Sequence, residues 1–148
     1  MRFLIQRVGR ASVTVDGELL GQISKGCLIF VGISNTDTTQ IADKMLDKLV
    51  KLRIFEDEQG KTNLSITDAG GEYLVISQFT LYADVKKSNR PSFTSAGNPA
   101  LASELYDYVC DGLLQRGFSV QRGRFGADMK VDLLNDGPFT IWMDSDAM

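Results

Sequence analysis

The chain has 148 residues, 43% of them hydrophobic and 24% charged, which fits one globular domain (residues 1–148) with a core of its own. A net charge of −3 argues against a general nucleic-acid binder, and the complete absence of histidine excludes Ser-His-Asp and Cys-His nucleophile activation. No window approaches the ~20 apolar residues that span a bilayer, and "MRFLIQRVGR" lacks a long apolar run and a small-residue cleavage site. The expectation is a cytoplasmic protein with no membrane partner.

In chain order, "RFLIQRV" and "ASVTVDG" alternate apolar and polar residues, the pattern of half-buried strands. "DGELLGQI" follows an Asp-Gly turn and predicts a hairpin. "GCLIFVGI" is a continuous apolar run between glycines and suits a central strand. The period then changes. Ile41, Met45, Leu49 and Leu52 recur at helical spacing, predicting a helix from about Thr38 to Leu52 with Thr36 or Asp37 as its cap.

"RIFEDEQGKTN" reads as a short strand and turn, and "EYLVISQFTLYAD" as one further strand. "VKKSNRPSFTSAGNP" is a long polar loop. A second helix is predicted from Pro99 to about Arg116, capped by Asn98 and ended by Gly117, with Leu101, Leu105, Tyr108, Val109 and Leu113 as its buried stripe. "FSVQRGRF", "MKVDLL" and "FTIWM" complete the chain as strands. The predicted class is α/β: a single β-rich domain whose mixed, largely antiparallel sheet is partly rolled into a barrel, with about two helices packed on it.

Cys27 and Cys110 sit in apolar patterns and read as buried structural thiols. With no Cys-x-x-Cys pair and no histidine, no metal and no cofactor are expected. Two basic clusters, Lys86, Lys87 and Arg90 in "VKKSNRPSF" and Arg122, Arg124 and Lys130 in "QRGRFGADMK", are either solvated faces or phosphate contacts.

Three stretches exceed what folding requires. "SQFTL" (Ser77–Leu81) places hydroxyls and an amide at a strand end, where they line a polar pocket or simply emerge into solvent. The loop from Lys86 to Asn98 offers Arg90 for phosphate and Phe93 for stacking on a base, or is plain surface. "NDGPFT" (residues 135–140) is either a hairpin tip or a binding element. A Gly-Pro peptide adopts cis at modest cost, which would turn two carbonyls to the same side.

Together, "SQFTL" and "NDGPFT", behind "QRVGRASVTVDG" and with "GCLIFVGI" as a fourth strand, "NRPSF" in the loop and "FGADMKVDLLNDGP" near the end, resemble the D-aminoacyl-tRNA deacylase family, first described as D-tyrosyl-tRNA deacylases. The resemblance covers essentially the whole chain. One departure is Phe139, where many members have a smaller Val.

The resemblance implies a homodimeric ester hydrolase that releases D-amino acids from the acceptor end of tRNA. It implies that Ser77, Gln78, Phe79 and Thr80 stand nearest the reaction. It further implies that Gly137 and Pro138 form a cis pair inserted into the partner's active site, that Arg7 braces this pair, and that Met129 contributes to substrate binding. Lys86, Lys87, Arg90 and Phe93 are the implied tRNA rim. Main-chain carbonyls holding the substrate ammonium would exclude L-amino acids sterically and admit glycine. Two rivals stay open: a trans-Gly-Pro paralogue that edits small L-amino acids, and a non-catalytic dimer that binds RNA ends.

Overall fold

A computed structural model describes residues 1–148. The two predicted N-terminal strands are one 14-residue strand, β1 (Arg2–Val15). It stays continuous because it serves three partners. One edge pairs antiparallel with β3 (Gly26–Gly32) through residues 2–8 and with β2 (Glu18–Ile23) through residues 11–15. The other edge pairs along its length with β8 (Lys130–Asp144). "GCLIFVGI" is therefore the third strand, not the fourth. Positive φ at Asp16 (50°) and Gly17 (78°) makes the predicted β1–β2 hairpin turn.

A bulge in β1 changes which side faces inward. Phe3 and Ile5 join the core beneath the helices, whereas Val8, Ala11 and Val13 enter a second core of Ile23, Leu28, Leu74 and Ile76 inside the curled sheet. β3 contributes to both cores, which explains its unbroken apolar run.

Helix α1 spans Thr39–Leu49, shorter than predicted, and its cap is Thr38, whose hydroxyl accepts from Ile41 N at 3.3 Å. Asp37 is occupied elsewhere: its buried carboxylate takes the Met1 ammonium at 2.5 Å and the Ser34 N–H at 2.7 Å. β4 (Arg53–Glu56) and β5 (Thr62–Ser65) form a separate hairpin. A single-turn helix, α2 (Ile66–Ala69), follows behind a Ser65–Asp68 capping box; it is too short to show periodicity in sequence.

β6 (Glu72–Ser77) runs parallel to β3 and stops at Ser77, seven residues before the predicted end, where the chain tightens into a 3₁₀ turn over Phe79–Tyr82. Gly32 permits that turn: a Cβ there would sit 2.9 Å from the Leu81 Cβ and 3.3 Å from the Gln78 carbonyl oxygen.

Helix α3 (Pro99–Gln115) starts and stops as expected, capped by Asn98 and followed by Gly117 at φ 88°. Its buried face turns slightly from the predicted one. Tyr106 and Cys110 are buried, whereas Leu101 and Tyr108 are half-buried, because Tyr108 donates to the Asp43 carboxylate on α1.

β7 (Val120–Arg122) extends the sheet beyond β6, giving the order β2-β1-β3-β6-β7 with β8 on the outer edge of β1. Gly21 of β2 approaches Gln121 and Arg122 of β7, so the mixed sheet is nearly closed into a barrel. α1 and α3 cover one face of it.

Candidate active site

A cavity of about 820 Å³ opens where β3 and β6 end, between the loop at 93–99, the start of α3 and the segment 125–131. Ser77, Gln78 and Phe79 form one wall, Met129 and Val131 another. Ile33, Ala96, Ala102, Phe125 and Phe93 make much of the surface apolar, which suits a base or an amino-acid side chain. Phe79 and Phe93 meet edge to face across the rim, with ring centroids 5.0 Å apart.

The turn after β6 gives this wall its chemistry. The last ladder bond runs from Gln78 N to Val31 O at 2.8 Å, and the turn's first internal bond from Leu81 N to Gln78 O at 3.3 Å. Between them, the N–H groups of Phe79 and Thr80 donate to nothing in the chain. Free donors at the start of a helical turn can meet developing negative charge. Gln78 Nε2 donates to Thr80 Oγ1 at 2.6 Å, fixing the hydroxyl that follows them. No basic side chain lies within hydrogen-bond reach of it. Thr80 itself is exposed and sits outside the cavity wall.

"NDGPFT" is not a hairpin tip. β8 continues through it along the same edge of β1, and the segment bulges out. Between the pairs Gln6–Thr140 and Val8–Asn135, β8 takes five steps where β1 takes two. The Gly137–Pro138 peptide is cis. Asn135, which sequence reasoning passed over, closes the bulge. Its amide donates to Arg7 O at 3.0 Å and Phe139 O at 2.9 Å, and accepts from Phe139 N at 3.1 Å. The available signal was the habit of Asn side chains to satisfy nearby backbone in turns.

Arg7, only 5% exposed, holds the bulge from beneath. Its Nε donates to Asp136 O at 2.9 Å and its Nη1 to Ile54 O at 2.7 Å. Its guanidinium lies 4.6 Å from the Phe139 ring centre, so the larger residue after Gly-Pro stacks on the arginine. Gly137 and Pro138 are exposed and do not line the 820 Å³ cavity of their own chain.

The site residues expected from sequence thus form separate groups. Ser77, Gln78, Phe79, Phe93 and Met129 share the cavity; Arg7, Gly137 and Pro138 share the bulge. Lys86 lines a neighbouring polar cavity. Lys87 and Arg90 are exposed and line neither. The second basic cluster is partly neutralised within the chain, Arg122 by Asp107 and Lys130 by Asp128.

Both cysteines are buried, and burial pushes the thiol of Cys27 up to about 12 and that of Cys110 to about 11, so neither supplies a thiolate. No cluster of three acidic or sulfur ligands is present.

The family model described as D-Tyr-tRNA(Tyr) deacylase matches residues 4–144. The chain belongs to this family. It is 54% identical over 144 residues to a D-aminoacyl-tRNA deacylase of Lactobacillus delbrueckii subsp. bulgaricus, covering 97% of this chain and 99% of that protein. A Ruegeria pomeroyi protein of the same name is also 54% identical, with the same coverage. Among solved structures, the c-Myc DNA Unwinding Element Binding Protein superposes with a TM-score of 0.91 at 40% identity, over 97% of this chain and 98% of that one. A structure described as "a probable eukaryotic D-amino acid tRNA deacylase" superposes with a TM-score of 0.82 over 96% of this chain and 97% of that one, a likeness of fold alone at 17% identity. In this deacylase-family chain, "SQFTL" leaves β6 in a 3₁₀ turn and "NDGPFT" makes the wide bulge of β8.

Proposed function

We propose that this protein hydrolyses the ester joining a D-amino acid to the terminal adenosine of tRNA. Family membership and the unengaged N–H of Phe79 at the cavity wall, with that of Thr80 next to it in the turn, support the reading. The adenosine and the aminoacyl group occupy the 820 Å³ cavity. A water oxygen attacks the ester carbonyl carbon, and the negative oxygen that forms meets the two N–H groups. One such donor is typically worth about 3 kcal/mol. The water's proton passes through the vicinal ribose hydroxyl to the leaving ribose oxygen as the acyl C–O bond breaks. Free D-amino acid and tRNA result, and no protein base is needed.

The working unit in this reading is a homodimer. The outer edge of β8 pairs with no strand of its own chain and carries Leu134 (55% exposed) and Trp142 (48%), an apolar edge that a second copy would cover. Each subunit presents its Gly137 and Pro138 carbonyls to the other's cavity, where they accept the substrate ammonium. An L side chain in the same pose meets the wall; a D side chain or a glycine does not. Lys86, Lys87, Arg90 and Phe93 form the rim that meets the RNA. The reaction needs no metal and takes place in the cytoplasm.

The test is cleavage of D-tyrosyl-tRNA, L-tyrosyl-tRNA and mischarged glycyl-tRNA by the purified protein, with and without a chelator. The D and glycyl esters are cleaved, the L ester is spared, and the chelator changes nothing. Preference for small L esters would favour the paralogue function. No turnover above spontaneous hydrolysis would favour pure nucleic-acid binding, as the name of the 40% identical structure suggests for that protein.

A further inference from the structure

Beside the first cavity lies a second, of about 550 Å³, lined mostly by polar and charged residues. Asn35 and Thr94 line both, so the two open onto one another across a shared saddle. The chain after β6 serves one and then the other: Ser77 to Phe79 face the first cavity, Tyr82 to Asp84 the second. We propose that this second cavity holds the nucleotide that precedes the terminal adenosine. The proposal rests on the deacylase reading and names a part of the substrate that the first cavity leaves outside.

The chemistry favours a nucleotide over a free anion. Lys86 has no carboxylate within ion-pair distance and supplies an uncommitted cation for a phosphate. Arg2 is fixed at the wall, its Nε donating to Asp144 at 2.9 Å and its Nη1 to Leu81 O at 2.9 Å. Asp84 and Asp146 stand in the same cavity. They would repel a bare phosphate, but they accept hydrogen bonds from a base amino group or a ribose hydroxyl. A nucleotide offers an anion and donors together. The ring of Tyr82 lines the cavity, with its hydroxyl buried behind the surface beside Ser34. Equal numbers of cations and carboxylates leave the cavity near neutrality, which suits a substrate that must leave after one hydrolysis.

The probes are adenosine and the dinucleotide cytidylyl-(3′→5′)-adenosine, followed by turnover of D-aminoacyl-tRNA and of the D-aminoacyl ester of adenosine alone. In the wild type the dinucleotide binds about tenfold more tightly than adenosine. Ser95→Trp, which fills only the second cavity, abolishes that tenfold difference and raises KM for tRNA while kcat changes little. Exposed Lys86→Gln weakens the dinucleotide several-fold and lowers the salt slope of binding by about 0.7, the loss of one single-strand phosphate contact. Equal losses on adenosine and dinucleotide, or no loss in either variant, would overturn the subsite. Failure of the wild type to cleave either ester would overturn the deacylase reading, while the two binding constants would still decide the subsite.

Discussion

The turn after β6 and the bulge in β8 leave the same sheet by different routes. The turn is internal: it forms at the buried end of a strand packed on both faces, and its hydrogen bonds and the space beside Gly32 are set within one protomer. The bulge is external: it rises from an edge strand with no inner neighbour but β1, and is held from below by Arg7 and across its neck by Asn135. One supplies donors at a cavity; the other supplies acceptors with no cavity of its own. The dimer proposed above would bring the two together.

The bulge should be the more fragile of the two. A Cβ on Gly137 would lie 2.5 Å from Phe139 N and 2.9 Å from Phe139 Cβ, both close to the main chain, so the loop must move. Gly137→Ala should cost about 10²-fold or more in kcat/KM on D-aminoacyl-tRNA, the scale of a ~1 Å misplacement, with the thermal midpoint nearly unchanged. Wild-type rates in this variant would remove the bulge from the mechanism.

Arg7→Ala comes next, and differs by striking stability as well. It strips the donors from Asp136 O and Ile54 O and opens a void under Phe139. A loss of about 3 kcal/mol in denaturant unfolding is expected. Asn135→Ala, which spares the core, should lower activity with a smaller stability loss of about 1–2 kcal/mol.

On the turn side, Thr80→Ala removes a hydroxyl whose bond to Gln78 organises the turn but which faces no base. The expected loss is about tenfold in kcat, in keeping with one hydrogen bond. Complete inactivation with intact fold and binding would instead make Thr80 a covalent nucleophile.

The smallest effect tests the core behind both regions. In the unfolded chain Cys27 loses its proton near 9.0, but in the folded chain only near 12, and Cys110 near 11. The unfolded state therefore releases protons first. Stability holds below pH ~9 and falls as pH rises toward those folded values. Urea midpoints measured between pH 8 and 10.5 should decline, and Cys27→Ala with Cys110→Ala should remove most of the decline below pH ~10, above which Tyr73, Tyr82 and Tyr106, also pushed up by burial, add to it. Alkylating reagents should leave the native enzyme's activity unchanged at pH 8.

Much of this was legible in the sequence because it is local. Period-two alternation marks β1, and Pro99 with Asn98 and Gly117 bounds α3 to within a residue. The family-typical motifs picked out both irregular segments. What escaped was decided between distant residues. "EYLVISQFTLYAD" keeps a strand-like composition past Ser77, yet the chain turns there because Gly32, forty-five residues earlier, leaves room. "NDGPFT" carries every local mark of a hairpin tip, yet β1 is long enough to pair on both sides of it and keeps β8 as one strand.

Composition and order of residues were enough to indicate a single β-rich domain and the lack of any histidine chemistry, since these depend on side-chain type and short-range periodicity; the deacylase family was legible only as a resemblance carried by whole motifs. The cavity, the unspent N–H pair, the grip of Arg7 and Asn135 on the bulge, and the polar cavity beside Lys86 came from packing. Hydrogen bonds and close approaches between segments more than a hundred residues apart, as between Arg7 and Asp136, carry no periodic trace along the chain.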